Sequence, residues 1–229
     1  MTYVLSDIHG RMDYFYDILD QINLREEDKL YVLGDAIDRN PDGLQILLML
    51  MEMPNVIFLL GNHEHMMMDV LEKYNILTAI GRWYRNGGEV THDLWLEFSE
   101  AEQKKIIQYI KKAKINETVQ VGDKTFFLVH AAPAACWDGD QSIYRDAKMF
   151  AVWERLEGRY PFEEDDDRIV IFGHTPTLFF DSTHPFKIWH GDRMIGIDCG
   201  AGYPEGRLAC LRLEDMKEFY SDMKKGRCS

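Results

Sequence analysis

Apolar residues run along this chain in short stretches that stop at polar, glycine-containing loops and resume at helical spacing. Residues 2–6 read as a buried strand and Asp7-Ile8-His9-Gly10 as the loop after it. Met12, Phe15, Ile18, Leu19 and Ile22 then mark one face of a helix. The unit recurs. Residues 29–33, 34–39 and 44–51 form a second strand, loop and helix, and residues 56–60, 61–65 and 66–73 a third. Three such units in succession predict a parallel sheet with crossover helices and its three loops on one edge.

The pattern then changes. Residues 74–120 read as a helical insertion beside that edge. They include an aromatic turn from Trp83 to Thr91 and an amphipathic helix over 99–114, with Ser99 as N-cap and Glu102 three residues on. The lysines of that helix read as a solvated face. Strands return at 124–129 and 168–172, separated by a helix over 147–156. The runs at 186–189, 194–197 and 208–213 predict antiparallel strands that close a second sheet. The acid run 163–167 follows Pro161 and reads as an exposed loop without calcium-loop spacing. Residues 224–229 read as a frayed end. The expected fold class is α/β, a two-sheet sandwich flanked by helices, in one domain over 1–229.

Composition narrows the function. A net charge of −13 argues against a sequence-independent nucleic-acid binder. No apolar run is long enough to span a bilayer, so no membrane partner is expected. The start of the chain resembles no signal peptide. Cys136, Cys199, Cys210 and Cys228 lack CxxC spacing and read as reduced thiols of a cytoplasmic protein. The oligomeric state is open.

Five strand ends carry groups able to ligate metal: Asp7 with His9, Asp35, Asn62, His130 and His174. Two residues apart in extended backbone, Asp7 and His9 would point the same way. Oxygen and imidazole donors without thiolate suit two divalent transition-metal ions, Mn²⁺ first and Fe or Zn²⁺ otherwise. Six residues exceed one tetrahedral site. They fit two ions about 3.5–4 Å apart sharing the Asp35 carboxylate, an arrangement for in-line attack of a metal-held hydroxide on phosphorus. Arg39 would hold phosphoryl oxygens. His63, directly after Asn62, would point away from the metals and protonate the leaving oxygen, oriented by Asp38. Glu64 and His65 read as packing or dipole residues of a first helical turn.

Asp7-x-His9, Gly34-Asp35-x-x-Asp38-Arg39, Gly61-Asn62-His63-Glu64, His130 and Gly173-His174 resemble the motif series of the PPP-type phosphoprotein phosphatases, bacterial and bacteriophage branch, within the calcineurin-like metallophosphoesterases. The symmetrical diadenosine tetraphosphate hydrolases share it. The resemblance spans nearly the whole chain and implies the two-sheet sandwich. It implies one ion on Asp7, His9 and Asp35 and a second on Asp35, Asn62, His130 and His174. It makes Asp38 and His63 an acid pair and gives Arg39 and Arg155 a grip on phosphate. The expected reaction is hydrolysis of phosphate monoesters, foremost phosphoserine or phosphothreonine in proteins, with small phosphorylated substrates also in view. The alternative is a dinucleoside polyphosphate, and a remote one is a non-catalytic scaffold. One departure favours the alternative: Leu60 stands where protein phosphatases of this group carry arginine, whereas Glu64 and Gly173-His174-Thr175-Pro176 look more like the phosphatases. Arg85 reads as a surface arginine first and a replacement cation second.

Overall fold

A computed structural model describes residues 1–72, 76–156 and 167–222. Two five-stranded sheets face each other. The first contains β1 (Thr2–Leu5), β2 (Lys29–Val32) and β3 (Val56–Phe58), mutually parallel, extended beyond β1 by antiparallel β9 (Ala209–Arg212) and β10 (Lys217–Tyr220). The second contains parallel β5 (Lys124–Val129), β6 (Ile169–Phe172) and β8 (Met194–Gly196), edged by antiparallel β4 (Asn116–Val121) and β7 (Trp189–His190). The helices are α1 (Met12–Ile22), α2 (Gly43–Glu52), α3 (Asn62–Leu71), α4 (Ile76–Arg85), α5 (Glu89–Trp95), α6 (Glu100–Lys112) and α7 (Ala147–Trp153).

Alternation along each strand builds the layers. Tyr3, Leu5, Leu30 and Val32 pack outward against Phe15, Ile18, Leu44 and Leu47 of α1 and α2. Their neighbours Val4, Tyr31 and Leu33 point inward and meet Phe126, Leu128, Ile171 and Ile195 of the other sheet. On the far side, Val129, Val170 and Phe172 pack with Phe150 of α7. Strands covered on both faces must be apolar at every position, which is why these stretches read as continuous runs and not as alternation.

Several boundaries differ from the sequence expectation. Helix α3 starts at Asn62, so the expected loop 61–65 is mostly its first turn. The aromatic stretch is largely helical, with a turn confined to 86–88. The insertion is the helices α4 to α6. Residues 116–121 belong to the second sheet as an edge strand, whose apolar face is only the pair Val119 and Val121, half-buried against the inter-sheet core. The C-terminal strands do not all close the second sheet: β9 and β10 extend the first, and β8 joins β6 in parallel. Phe186 is not in a strand because its φ is +59°. Ser99 does cap α6, with Glu102 completing the box. Cys136, Cys199 and Cys210 are free thiols. Lys73, residues 163–166 of the acid run, the end at 224–229 and Cys228 lie outside the described residues. Asp167, the last of the acid run, is exposed. Among the described residues no helix is long and apolar enough to cross a membrane.

Backbone crowding fixes how the strand ends meet. Gly34 has φ +86°, and a Cβ there would lie 2.4 Å from the Gly61 nitrogen. The ends of β2 and β3 approach this closely only because one residue lacks a side chain. Gly34→Ala is expected to cost more than about 2 kcal/mol through left-handed strain and this clash. Urea unfolding checks it; an unchanged midpoint would show that the two loops can part without penalty.

Candidate metal centre

Each candidate ligand sits at or just beyond the C-terminal end of a parallel strand: Asp7 and His9 after β1, Asp35 after β2, Asn62 after β3, His130 after β5 and His174 after β6. The loops are stitched together by backbone. Asp7 N donates to Gly34 O (3.1 Å) and His9 N to Asp35 O (2.9 Å). Contrary to the extended backbone that their spacing suggested, Asp7 and His9 are left-handed. Their φ values are +55° and +49°, and Asp35, Asp38, Arg39 and His174 are also left-handed. Non-glycine residues rarely adopt this region, and surroundings that over-determine the backbone must hold them there.

Glu64 supplies much of that hold. Its buried carboxylate accepts from the amides of Asp35 (2.9 Å), Ala36 (2.8 Å) and Gly61 (3.2 Å). Burial, followed by the nearby Asp35 charge, pushes its pKa up to about 7. The packing role expected of Glu64 is therefore specific: it ties the loop after β2 to the start of α3. His65 is also buried, 3.5 Å from the Arg145 guanidinium.

The side chains converge on Asp35 Oδ2. His130 Nε2 lies 3.5 Å from it, and His9 Nε2 and His63 Nε2 each lie 3.8 Å away. Asp7 Oδ1 is 3.8 Å from His9 Nε2. Asn62 Oδ1 is 2.9 Å from both His130 Nε2 and His174 Nδ1. Two groups of ligand atoms close enough to hold a cation share Asp35, His9–Asp35–His63 and Asp35–His130–His174, and the first takes in His63 where Asp7 was expected.

The far nitrogen of each imidazole shows why a cation fits. His9 Nδ1 pairs with Ile37 O (3.1 Å), His130 Nδ1 with Leu33 O (2.5 Å) and His174 Nε2 with Trp153 O (3.1 Å). Carbonyls only accept, so these nitrogens carry the protons. The opposite nitrogens turn lone pairs toward the Asp35 and Asn62 oxygens. A buried cluster of acceptors facing acceptors is repulsive until a positive charge enters it, and oxygen with neutral imidazole is a divalent-metal donor set. Burial holds His9 and His174 well below the usual imidazole range, so both stay neutral as ligation requires. Burial raises the Asp7 carboxyl. Burial would also raise Asp35, but the charged and hydrogen-bonding groups around it, the His63 amide at 3.0 Å among them, hold it below its ordinary value.

His63 differs from the expectation in direction. It lies on a helix, where successive residues turn by about 100° and do not alternate, so its ring faces the centre. Nδ1 donates to Asp38 Oδ2 at 2.6 Å. Burial disfavours the charged ring, yet Asp35 and Asp38 together raise its pKa. The same Asp38 oxygen accepts from Trp83 Nε1 (2.8 Å), a contact with no local signature because the partners are 45 residues apart. The guanidinium of Arg39, 5.0 Å from the Tyr203 ring centre, lowers His9, and that of exposed Arg155 lowers His174. Leu60 is buried in the apolar core. Arg85 is exposed, with its guanidinium near Gly81 of its own helix.

Asp35→Asn removes the charge that both triads share. Metal analysis is expected to show loss of bound divalent ion, and turnover of p-nitrophenyl phosphate should fall to background. Retained metal and turnover would remove Asp35 from the centre. Glu64→Gln keeps the shape but gives one carboxylate oxygen's amides a donor to face. Stability should fall by about 1–3 kcal/mol, read by denaturant unfolding, and an unchanged midpoint would mean the loop holds itself.

Comparison with known proteins agrees with this geometry. The family model described as calcineurin-like phosphoesterase matches residues 2–195. The chain is 31% identical to serine/threonine-protein phosphatase 2 of Escherichia coli, over 93% of this chain and 92% of that one. It is 35% identical to the symmetrical bis(5'-nucleosyl)-tetraphosphatase of Marinomonas sp., over 95% of each chain. The alignment with the corresponding Erwinia tasmaniensis enzyme, at 29% identity, spans 46% of that protein. In fold, the chain is similar to the crystal structure of a diadenosine tetraphosphatase-like protein, with a TM-score of 0.61 and 15% identity, covering 96% of this chain and 91% of that one. With its strand ends converging on Asp35 and a family match over most of its length, this chain belongs to the calcineurin-like phosphoesterase family.

Proposed function

We propose that this metal-dependent phosphoesterase cleaves dinucleoside polyphosphates. Leu60 carries the reading: an apolar core residue occupies the position where a phosphatase clamp was expected. Tyr203 supports it further. Its ring is 41% exposed beside the Arg39 guanidinium, where a nucleobase could stack.

In this reading Asp7, His9 and Asp35 hold one divalent ion and Asp35, Asn62, His130 and His174 the other. Bound there, the ions would supply Lewis acidity toward a phosphoryl oxygen and a more acidic water. Arg39 and Arg155 grip phosphoryl oxygens. His63, charged through Asp38, gives the Nε2 proton to the leaving oxygen. Reduced from first place to second is the phosphoprotein reading. It is favoured by the nearly end-to-end match with serine/threonine-protein phosphatase 2 of Salmonella typhimurium, at 29% identity over 93% of this chain and 92% of that one. The same residues would serve both substrates.

Side-by-side kinetics with Mn²⁺ separate the two. kcat/KM for diadenosine tetraphosphate is expected to exceed that for a phosphoserine peptide by about tenfold or more, and the reverse order would restore the phosphoprotein reading. Tyr203→Ala should raise KM for the dinucleotide by about fivefold or more. An equal rise for p-nitrophenyl phosphate would remove the stacking role.

A further inference from the structure

We infer that the helical insertion belongs to the catalytic apparatus: Trp83 is a positioning residue that fixes the Asp38–His63 pair, and the turn after it fixes Arg39. The inference rests on the acid role given to His63 above.

Asp38 is fully buried, yet among the described residues its Oδ1 has no hydrogen-bond partner. Its carboxylate is therefore oriented through Oδ2 alone, which accepts from His63 Nδ1 (2.6 Å) and Trp83 Nε1 (2.8 Å). Without the indole N–H, only the histidine would remain to orient it, and a carboxylate turns easily about its terminal torsion. The histidine would then lose the fixed partner that aims its other nitrogen.

The backbone is held from the same side. Asp38 N donates to Thr91 Oγ1 on α5 (3.0 Å), and Arg39 N donates to Gly87 O (3.0 Å). Asp38 and Arg39 are consecutive left-handed residues, with φ +72° and +69°. Two such residues in a row need outside support, and Thr91 and Gly87 provide it. The paired glycines make the approach possible. A Cβ on Gly87, itself at φ +92°, would lie 3.0 Å from Arg39 Cγ, and one on Gly88 would fall 2.2 Å from the Trp83 ring. The Trp83-x-x-x-Gly87-Gly88 pattern thus has a geometric reason: a wide indole and a bare turn close on the loop that carries the acid pair and the phosphate grip.

The test replaces Trp83 by benzothienylalanine, which keeps the ring shape and exchanges N–H for sulfur, alongside Trp83→Phe. His63→Asn serves as reference. Each protein is assayed with Mn²⁺ on phenyl phosphate, a poor leaving group, and p-nitrophenyl phosphate, a good one. Both Trp83 variants are expected to lose about tenfold or more in kcat on phenyl phosphate and much less on p-nitrophenyl phosphate, with KM and metal content unchanged. Equal losses on both substrates, lost metal, or no loss would overturn the positioning role. If His63→Asn is leaving-group dependent while the Trp83 variants are not, that role alone fails. If His63→Asn is itself flat, the acid reading fails and the inference goes with it.

Discussion

The structure turns on a repulsion. Around Asp35, the near nitrogens of His9, His130 and His174 turn lone pairs toward buried oxygens, their protons being held on the far side by backbone carbonyls. Such a cluster does not assemble for its own sake. It persists because Leu33, Ile37 and Trp153 fix the rings through carbonyls, and because Glu64 ties the second and third loops through their amides. The fold supplies the energy to hold this arrangement from layers of apolar contact on both sides of each central strand.

The strain is local to the same place. Among the described residues, six of the ten non-glycine residues at positive φ are Asp7, His9, Asp35, Asp38, Arg39 and His174. Concentration at the centre, and not scatter through surface turns, links the backbone's unfavourable geometry to the work of aiming side chains. The helical insertion reaches back to this strained backbone through Thr91, Gly87 and Trp83. A layered sandwich alone would leave the Asp38–Arg39 segment less constrained.

Much of the architecture was legible because parallel strands buried on both faces leave continuous apolar runs, and because each run ends in glycine and metal-competent groups. Less legible were edges and starts. The edge strand at Asn116–Val121 has only Val119 and Val121 on its inward face, too short an alternation to announce it. Helix α3 begins inside a motif that looks like a loop, because Asn62 and His63 are there for chemistry and not for helix propensity. That earlier start also explains why His63 faces the centre.

By itself, then, the order of residues determined the repeated strand-loop-helix units, the donor types at five strand ends and the absence of thiolate among them. These follow from periodicity and side-chain chemistry, which are local. Only the tertiary structure decided which lone pairs face one another, that Glu64 is a tie between loops, that β9 and β10 return to the first sheet, and that an indole from the insertion rests on Asp38. Those depend on contacts between segments far apart in the chain, where register and approach are set by packing and by the few glycines that let backbones touch.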